Sequence, residues 1–117
     1  MIHAERDSVC MGDDVYAPNA EELPFGGGSI TELLKAVSGY VPKMKFAVWV
    51  VCRSISSKEA LGALYLDENG EYAYLPLAKN LPQIREIYVR YFANYDHSLP
   101  NAEFAKTCLK EKGYCIS

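Results

Sequence analysis

Residues 61–77 read Leu-Gly-Ala-Leu-Tyr-Leu-Asp-Glu-Asn-Gly-Glu-Tyr-Ala-Tyr-Leu-Pro-Leu, and Asn69-Gly70 stands at the centre of two alternating runs. Both residues tolerate positive φ, as a two-residue type I′ turn requires, so the stretch is expected to be a β-hairpin. That turn places Leu66 opposite Ala73 and Leu64 opposite Leu75 on one face. Tyr65 then opposes Tyr74, and Asp67 opposes Tyr72, on the other. Side chains alternate strictly along a strand, so the two sets cannot mix. The aliphatic set is expected inward and the phenols outward.

The flanking elements extend this reading. Met44–Arg53 is rich in aromatic and β-branched residues with both faces apolar, which predicts a central strand. Ile84–Phe92 alternates Ile87, Val89 and Tyr91 with Glu86, Tyr88 and Arg90. A further strand fits best there, with a helix begun at Pro82 as the alternative. Met1–Arg6 predicts a short first strand, and residues 8–28 a long loop that is functional, partly disordered or hides a short element. Ser29-x-x-Glu32 is a capping box ahead of Ile30, Leu33, Leu34 and Val37 at helical spacing. Gly39 is expected to end that helix in the left-handed region, with Pro42 preventing its resumption. A last helix is expected over Pro100–Lys112, capped by Ser98 or Asn101 and ended by Gly113, with Phe104, Ala105, Cys108 and Leu109 inward. The order β-α-β-β-β-β-α predicts an α+β domain. Its mainly antiparallel sheet of four to five strands would carry two helices packed on one face. The other face would then be solvated or bound to something.

Composition bounds the function. The chain has 117 residues, the size of one domain, and 50% are hydrophobic and 23% charged, as in globular proteins. The longest apolar run, Phe46–Cys52, falls far short of the roughly 20 residues that span a bilayer. Met1–Asp7 holds no apolar segment of signal-peptide length, so a cytoplasmic location is expected. The net charge of −3 argues against general nucleic-acid or membrane-surface binding. Acidity is concentrated near the start, where Glu5, Asp7, Asp13, Asp14, Glu21 and Glu22 face Arg6 alone. Cys10, Cys52, Cys108 and Cys115 include no Cys-x-x-Cys, and the chain is too apolar to need disulfide staples, so reduced thiols are expected.

Three candidate sites emerge. The first is the open sheet face, where Tyr65, Asp67, Tyr72 and Tyr74 gather, with Tyr88 and Arg90 alongside if the next strand pairs there. Tyr and Arg dominate binding hot spots because they bury area and keep a polar end. Tyrosine also simply suits a pleated surface. The second is the loop holding Asp7, Cys10, Asp13 and Asp14. A cysteine nucleophile or a hard cation is conceivable there, yet acidic neighbours oppose a thiolate and the spacing matches no EF-hand. Gly26-Gly27-Gly28-Ser29, the third, lacks the Gly-Lys-Ser/Thr ending of a P-loop and reads as a hinge. No cofactor or metal is expected.

The run Glu5-Arg6-Asp7-Ser8-Val9-Cys10-Met11-Gly12-Asp13-Asp14, with Ala17-Pro18 after it, resembles the opening of a group of short bacterial proteins of no established activity. The resemblance covers about the first 20 residues and implies no catalytic or binding residue. The function that fits best is a non-enzymatic protein-binding domain using the Tyr-rich face, an immunity-type inhibitor being one version. The alternatives are a small Cys- or metal-dependent enzyme built on the Cys10, Asp13 and Asp14 loop, and a homodimer joined through the open face.

Overall fold

The computed structural model describes residues 1–7, 20–41, 43, 45–80, 83–94 and 99–116. Its elements are β1 (Ile2–Arg6), β2 (Ala20–Leu23), α1 (Ile30–Ser38), β3 (Ala47–Cys52), β4 (Glu59–Leu66), β5 (Tyr72–Pro76), β6 (Glu86–Ala93), α2 (Asn101–Glu111) and β7 (Cys115–Ile116). The fold is α+β. The expected first strand, helices and central strand are present, and the strand expected over 84–92 forms as β6 (Glu86–Ala93), not as a helix. β2 is a short element within the stretch read as a long loop, one of the alternatives stated for it, and the two-residue β7 was not anticipated.

The sheet runs β2-β1-β6-β3-β4-β5, with β7 pairing to β4. It is larger than four to five strands, and it is mixed. β1 lies parallel to β6 and β7 parallel to β4, while the other pairs are antiparallel. β3 is central, as its two apolar faces require, and all six of its residues are buried.

α1 begins as the capping box implies, with Ser29 Oγ accepting the Glu32 N–H at 3.2 Å. Its end differs from expectation: Gly39 has φ −80°, so no left-handed residue closes it. In α2, Asn101 is not the cap. Its Nδ2 donates instead to the carbonyls of Lys45 (2.8 Å) and Leu66 (3.0 Å), tying the helix start to β4. Ser98 lies outside the described residues. Gly113, at φ +73°, closes α2 as predicted.

The hairpin forms around Asn69-Gly70, but its register is one residue away from that predicted. Leu66 pairs with Tyr72, Tyr65 with Ala73, Leu64 with Tyr74 and Ala63 with Leu75. The cause is local. Asp67 Oδ1 accepts the N–H groups of Asn69 (2.8 Å) and Glu71 (3.0 Å), and the Gly70 N–H donates to Asp67 O. This Asx arrangement closes the turn over Glu68-Asn69, and Gly70 follows at φ +77°. Such a three-residue connection, a turn plus a bulged left-handed glycine, holds one residue more than a type I′ loop. One extra residue flips every side chain of β5.

The helices also lie on opposite faces, not on one. Ile30, Leu33, Leu34 and Val37 of α1 join a core with Ile2, Ala4, Trp49, Val51, Leu64, Ile87 and Val89. Ala105 and Leu109 of α2 join a separate core with Val48, Val50, Cys52, Ala60 and Ala63. α1 sits so close to β4 that a Cβ on Gly62 would come within 3.0 Å of both Leu34 methyls. Two apolar faces on β3 need two covers, and each helix supplies one.

Candidate functional site

Flipping β5 disperses the expected tyrosine patch. Tyr72 and Tyr74 pack against the α1 core, and Tyr74 Oη donates to Ser38 Oγ at 3.3 Å. Tyr65 packs against the α2 core on the other side of the sheet. Asp67 holds the turn. Tyr88 and Arg90 do share the face of Tyr65, but at a distance along β3, since Tyr88 pairs with Cys52 and Tyr65 with Val48. No single surface holds all six residues.

A different surface remains on the α2 side. α2 packs on β3 and β4, and the face continues past it over β6, β1 and β2. There β1 directs Ile2 and Ala4 to the α1 core, so alternation turns His3, Glu5 and Asp7 the other way. His3 pairs with Glu22 and Glu86, and Glu5 with Ala20 and Tyr88. His3, Glu5, Glu22, Glu86, Tyr88 and Arg90 thus stand on one half of the sheet, all half-buried or exposed.

Asp7, at the end of β1, organises this half-face. Its Oδ1 accepts the Tyr88 hydroxyl at 2.7 Å and Arg90 Nη1 at 3.4 Å, and its Oδ2 accepts the Tyr91 N–H at 3.0 Å. The Asp7 N–H in turn donates to Val89 O. Arg90 lies with its guanidinium 4.7 Å from the centre of the Tyr88 ring and also donates to Ile55 O. Burial, and then the Asp7 hydrogen bond and charge, push the Tyr88 phenol up to about 12. These bonds hold Tyr88 and Arg90 upright before any ligand arrives, which lowers the entropy that binding would cost.

Toward the sheet edge, His3 Nδ1 lies 2.9 Å from Glu22 Oε1, and Nε2 lies 3.9 Å from Glu5 Oε1. The Glu22 hydrogen bond is the main cause that raises the His3 pKa above 6.5. With Asp7 already facing Arg90, Glu5, Glu22 and Glu86 bring three carboxylates to the half-face, with His3 among them and Arg53 and Arg85 at the rim beside Glu86.

Of the other loop candidates, Cys10, Asp13 and Asp14 lie outside the described residues. Among the described residues, no group of three or more His, Cys, Asp or Glu side chains could hold a metal ion. Cys52 and Cys108 are buried free thiols, and burial pushes Cys52 up to about 11, which suppresses thiolate. Among the described residues no helix is long and apolar enough to cross a membrane.

Sequence reading noted Glu5 and Glu22 within an acidic stretch but did not join them to His3 and Glu86, because the β1–β6 and β1–β2 pairings that assemble them leave no local pattern. The available signal was the alternation of Ile2 and Ala4 with His3 and Glu5. Comparison with models of protein families, with curated proteins and with solved structures gives no match for this chain.

Proposed function

We propose that the protein is a non-enzymatic binding domain that holds a basic partner protein on the uncovered half of its sheet. The observation that carries this reading is the Asp7 cluster. It presents Tyr88 and Arg90, residue types that anchor interfaces, inside a border of Glu5, Glu22 and Glu86. Acidic borders steer a basic partner and reject an acidic one. Masking a basic protein, as an immunity-type inhibitor does, is one form of this role. Self-association through the same face is disfavoured, because it would set like charges against each other.

The test is affinity capture with the intact protein as bait. A variant carrying Glu5→Lys, Glu22→Lys and Glu86→Lys is compared with a charge-matched control, Glu68→Lys, Glu71→Lys and Glu103→Lys. The expected result is a basic protein retained by wild type and control, lost by the half-face variant, and released by salt. Equal recovery by both variants removes the half-face from the argument. Sedimentation showing a dimer that the half-face variant dissociates would favour self-association instead.

A further inference from the structure

The half-face holds one group whose charge changes near neutral pH. His3 stands on β1 between its two neighbouring strands, paired with Glu22 on β2 and Glu86 on β6. Its Nδ1 lies 2.9 Å from Glu22 Oε1 and its Nε2 3.9 Å from Glu5 Oε1, so one ring reaches two of the three border carboxylates. The ring is 42% exposed, open to solvent protons and to anything seated on the face. Glu21, the other β2 carboxylate, pairs with Ala4 and belongs to the opposite face.

The surrounding charges decide how much a proton on His3 matters. Arg90 is matched by Asp7 at 3.4 Å, and Arg53 by Glu59 at 3.2 Å. Arg85 is the remaining arginine, in the hollow that His3, Arg53 and Glu86 also line. Its backbone carbonyl accepts the His3 N–H at 2.9 Å, which fixes it next to His3. Glu5, Glu22 and Glu86 therefore exceed Arg85, and among these groups one proton on His3 halves the excess negative charge. The hydrogen bond to Glu22, against a smaller opposing effect of desolvation, raises His3 above 6.5. The charge change thus lies nearer neutral pH than for a free histidine.

We infer that His3 is a proton-operated release for the basic partner: one proton taken up there pairs off Glu22 and Glu5 and weakens the partner's hold, and the arriving partner expels that proton. This rests on the binding role proposed for the half-face. The two directions are one coupling, because a ligand whose affinity falls on protonation must lower the proton's affinity by the same factor. The partner is then a protein that brings cationic groups to the β1–β2 border, held at neutral and alkaline pH and shed on acidification.

The full chain is titrated with N-acetyl-hexalysine amide, whose charge is constant between about pH 5.5 and 8. Low salt is used, where surface charges are least screened. Side-chain NMR follows the carboxyl groups of Glu5, Glu22 and Glu86 and the His3 ring. The peptide should bind at these carboxylates about two- to fivefold more weakly at the acid end, the size of an exposed charge contact. It should also lower the His3 midpoint. His3→Gln should bind as wild type does at the alkaline end and lose the pH dependence. His97, the chain's other histidine, lies outside the described residues, and His97→Gln should keep that dependence. Glu22→Gln should lower the His3 midpoint in the free chain. Peptide bound at the half-face with equal affinity at both ends overturns the inference and leaves the binding role standing. The same holds if His3→Gln retains the pH dependence, or if Glu22→Gln leaves the His3 midpoint unmoved. No shift at the three carboxylates at either end overturns both.

Discussion

Asp7 shows how one side chain organises what the surrounding backbone only brings near. It is the first residue past β1, so the parallel β1–β6 pairing carries it to the level of Tyr88 and Arg90. Its two oxygens then take a phenol, a guanidinium and a backbone N–H. The Tyr88 hydroxyl is half-buried and gives a charge-assisted bond, worth more than a neutral one. Tyr88→Phe should therefore cost about 1–2 kcal/mol in urea unfolding. It should also loosen Arg90, visible as faster exchange of the guanidinium protons in NMR. An unchanged stability would show that water replaces the phenol at no cost. Arg6, one residue earlier, points the opposite way and is 3% exposed. Its Nη1 donates to Asp7 O at 3.1 Å, and its guanidinium lies 5.8 Å from the Tyr40 ring centre. Neighbouring charges of opposite sign thus serve opposite faces, the period-2 rule carried to the end of a strand.

At the scale of elements, the hairpin is the instructive case. Asn69-Gly70 correctly marks the reversal, and the ambiguity lay in how many residues the reversal holds. Asp67 settles it by accepting two N–H groups of the turn, which selects the longer connection and leaves the left-handed position to Gly70. Gly70→Ala should destabilise by about 1 kcal/mol, because a Cβ is strained at positive φ, whereas Gly70→Asn should lose less. Thermal midpoints check this, with a few degrees separating the two variants. Equal midpoints would mean that the turn is not held at φ +77°. The bulge in β4 is a second irregularity of this kind: Val51 pairs with Gly62 but Cys52 with Ala60, leaving Leu61 as the extra residue. It turns Leu61 into the α1 core and keeps Ala60 toward α2.

For the molecule as a whole, the two-sided core has a consequence for pH. Burial, as the largest cause, raises Tyr40, Tyr88 and Tyr114 from 10.0 to about 12 and Cys52 from 9.0 to about 11. Above pH 10 the unfolded chain releases phenol protons that the folded chain keeps. The unfolded state then binds fewer protons, so stability falls as pH rises. The contribution of these groups is complete below their unfolded values and lost as pH passes their folded ones. Urea midpoints measured on both sides of pH 10 should decline, and phenolate absorbance of the native protein should show late-titrating tyrosines. Simultaneous ionisation of all the tyrosines near 10 would contradict their burial.

What the sequence determined by itself is the set of elements with strong local causes. The Ser29–Glu32 cap starts α1, the doubly apolar β3 lies at the sheet's centre, Asn69-Gly70 reverses the chain, and Gly113 ends α2. Each rests on residues a few positions apart, whose energetics do not depend on the rest of the chain. Tertiary structure alone decided which face each helix covers, the parallel entry of β1 beside β6, and the register that turns Tyr72 and Tyr74 toward α1. Those depend on contacts between residues far apart in sequence, and on one turn residue that shifts an entire strand. The acidic residues near the start were legible, but their assembly into a half-face was not: it joins β1, β2 and β6, and a period of two reports which residues share a face but not which strands lie side by side.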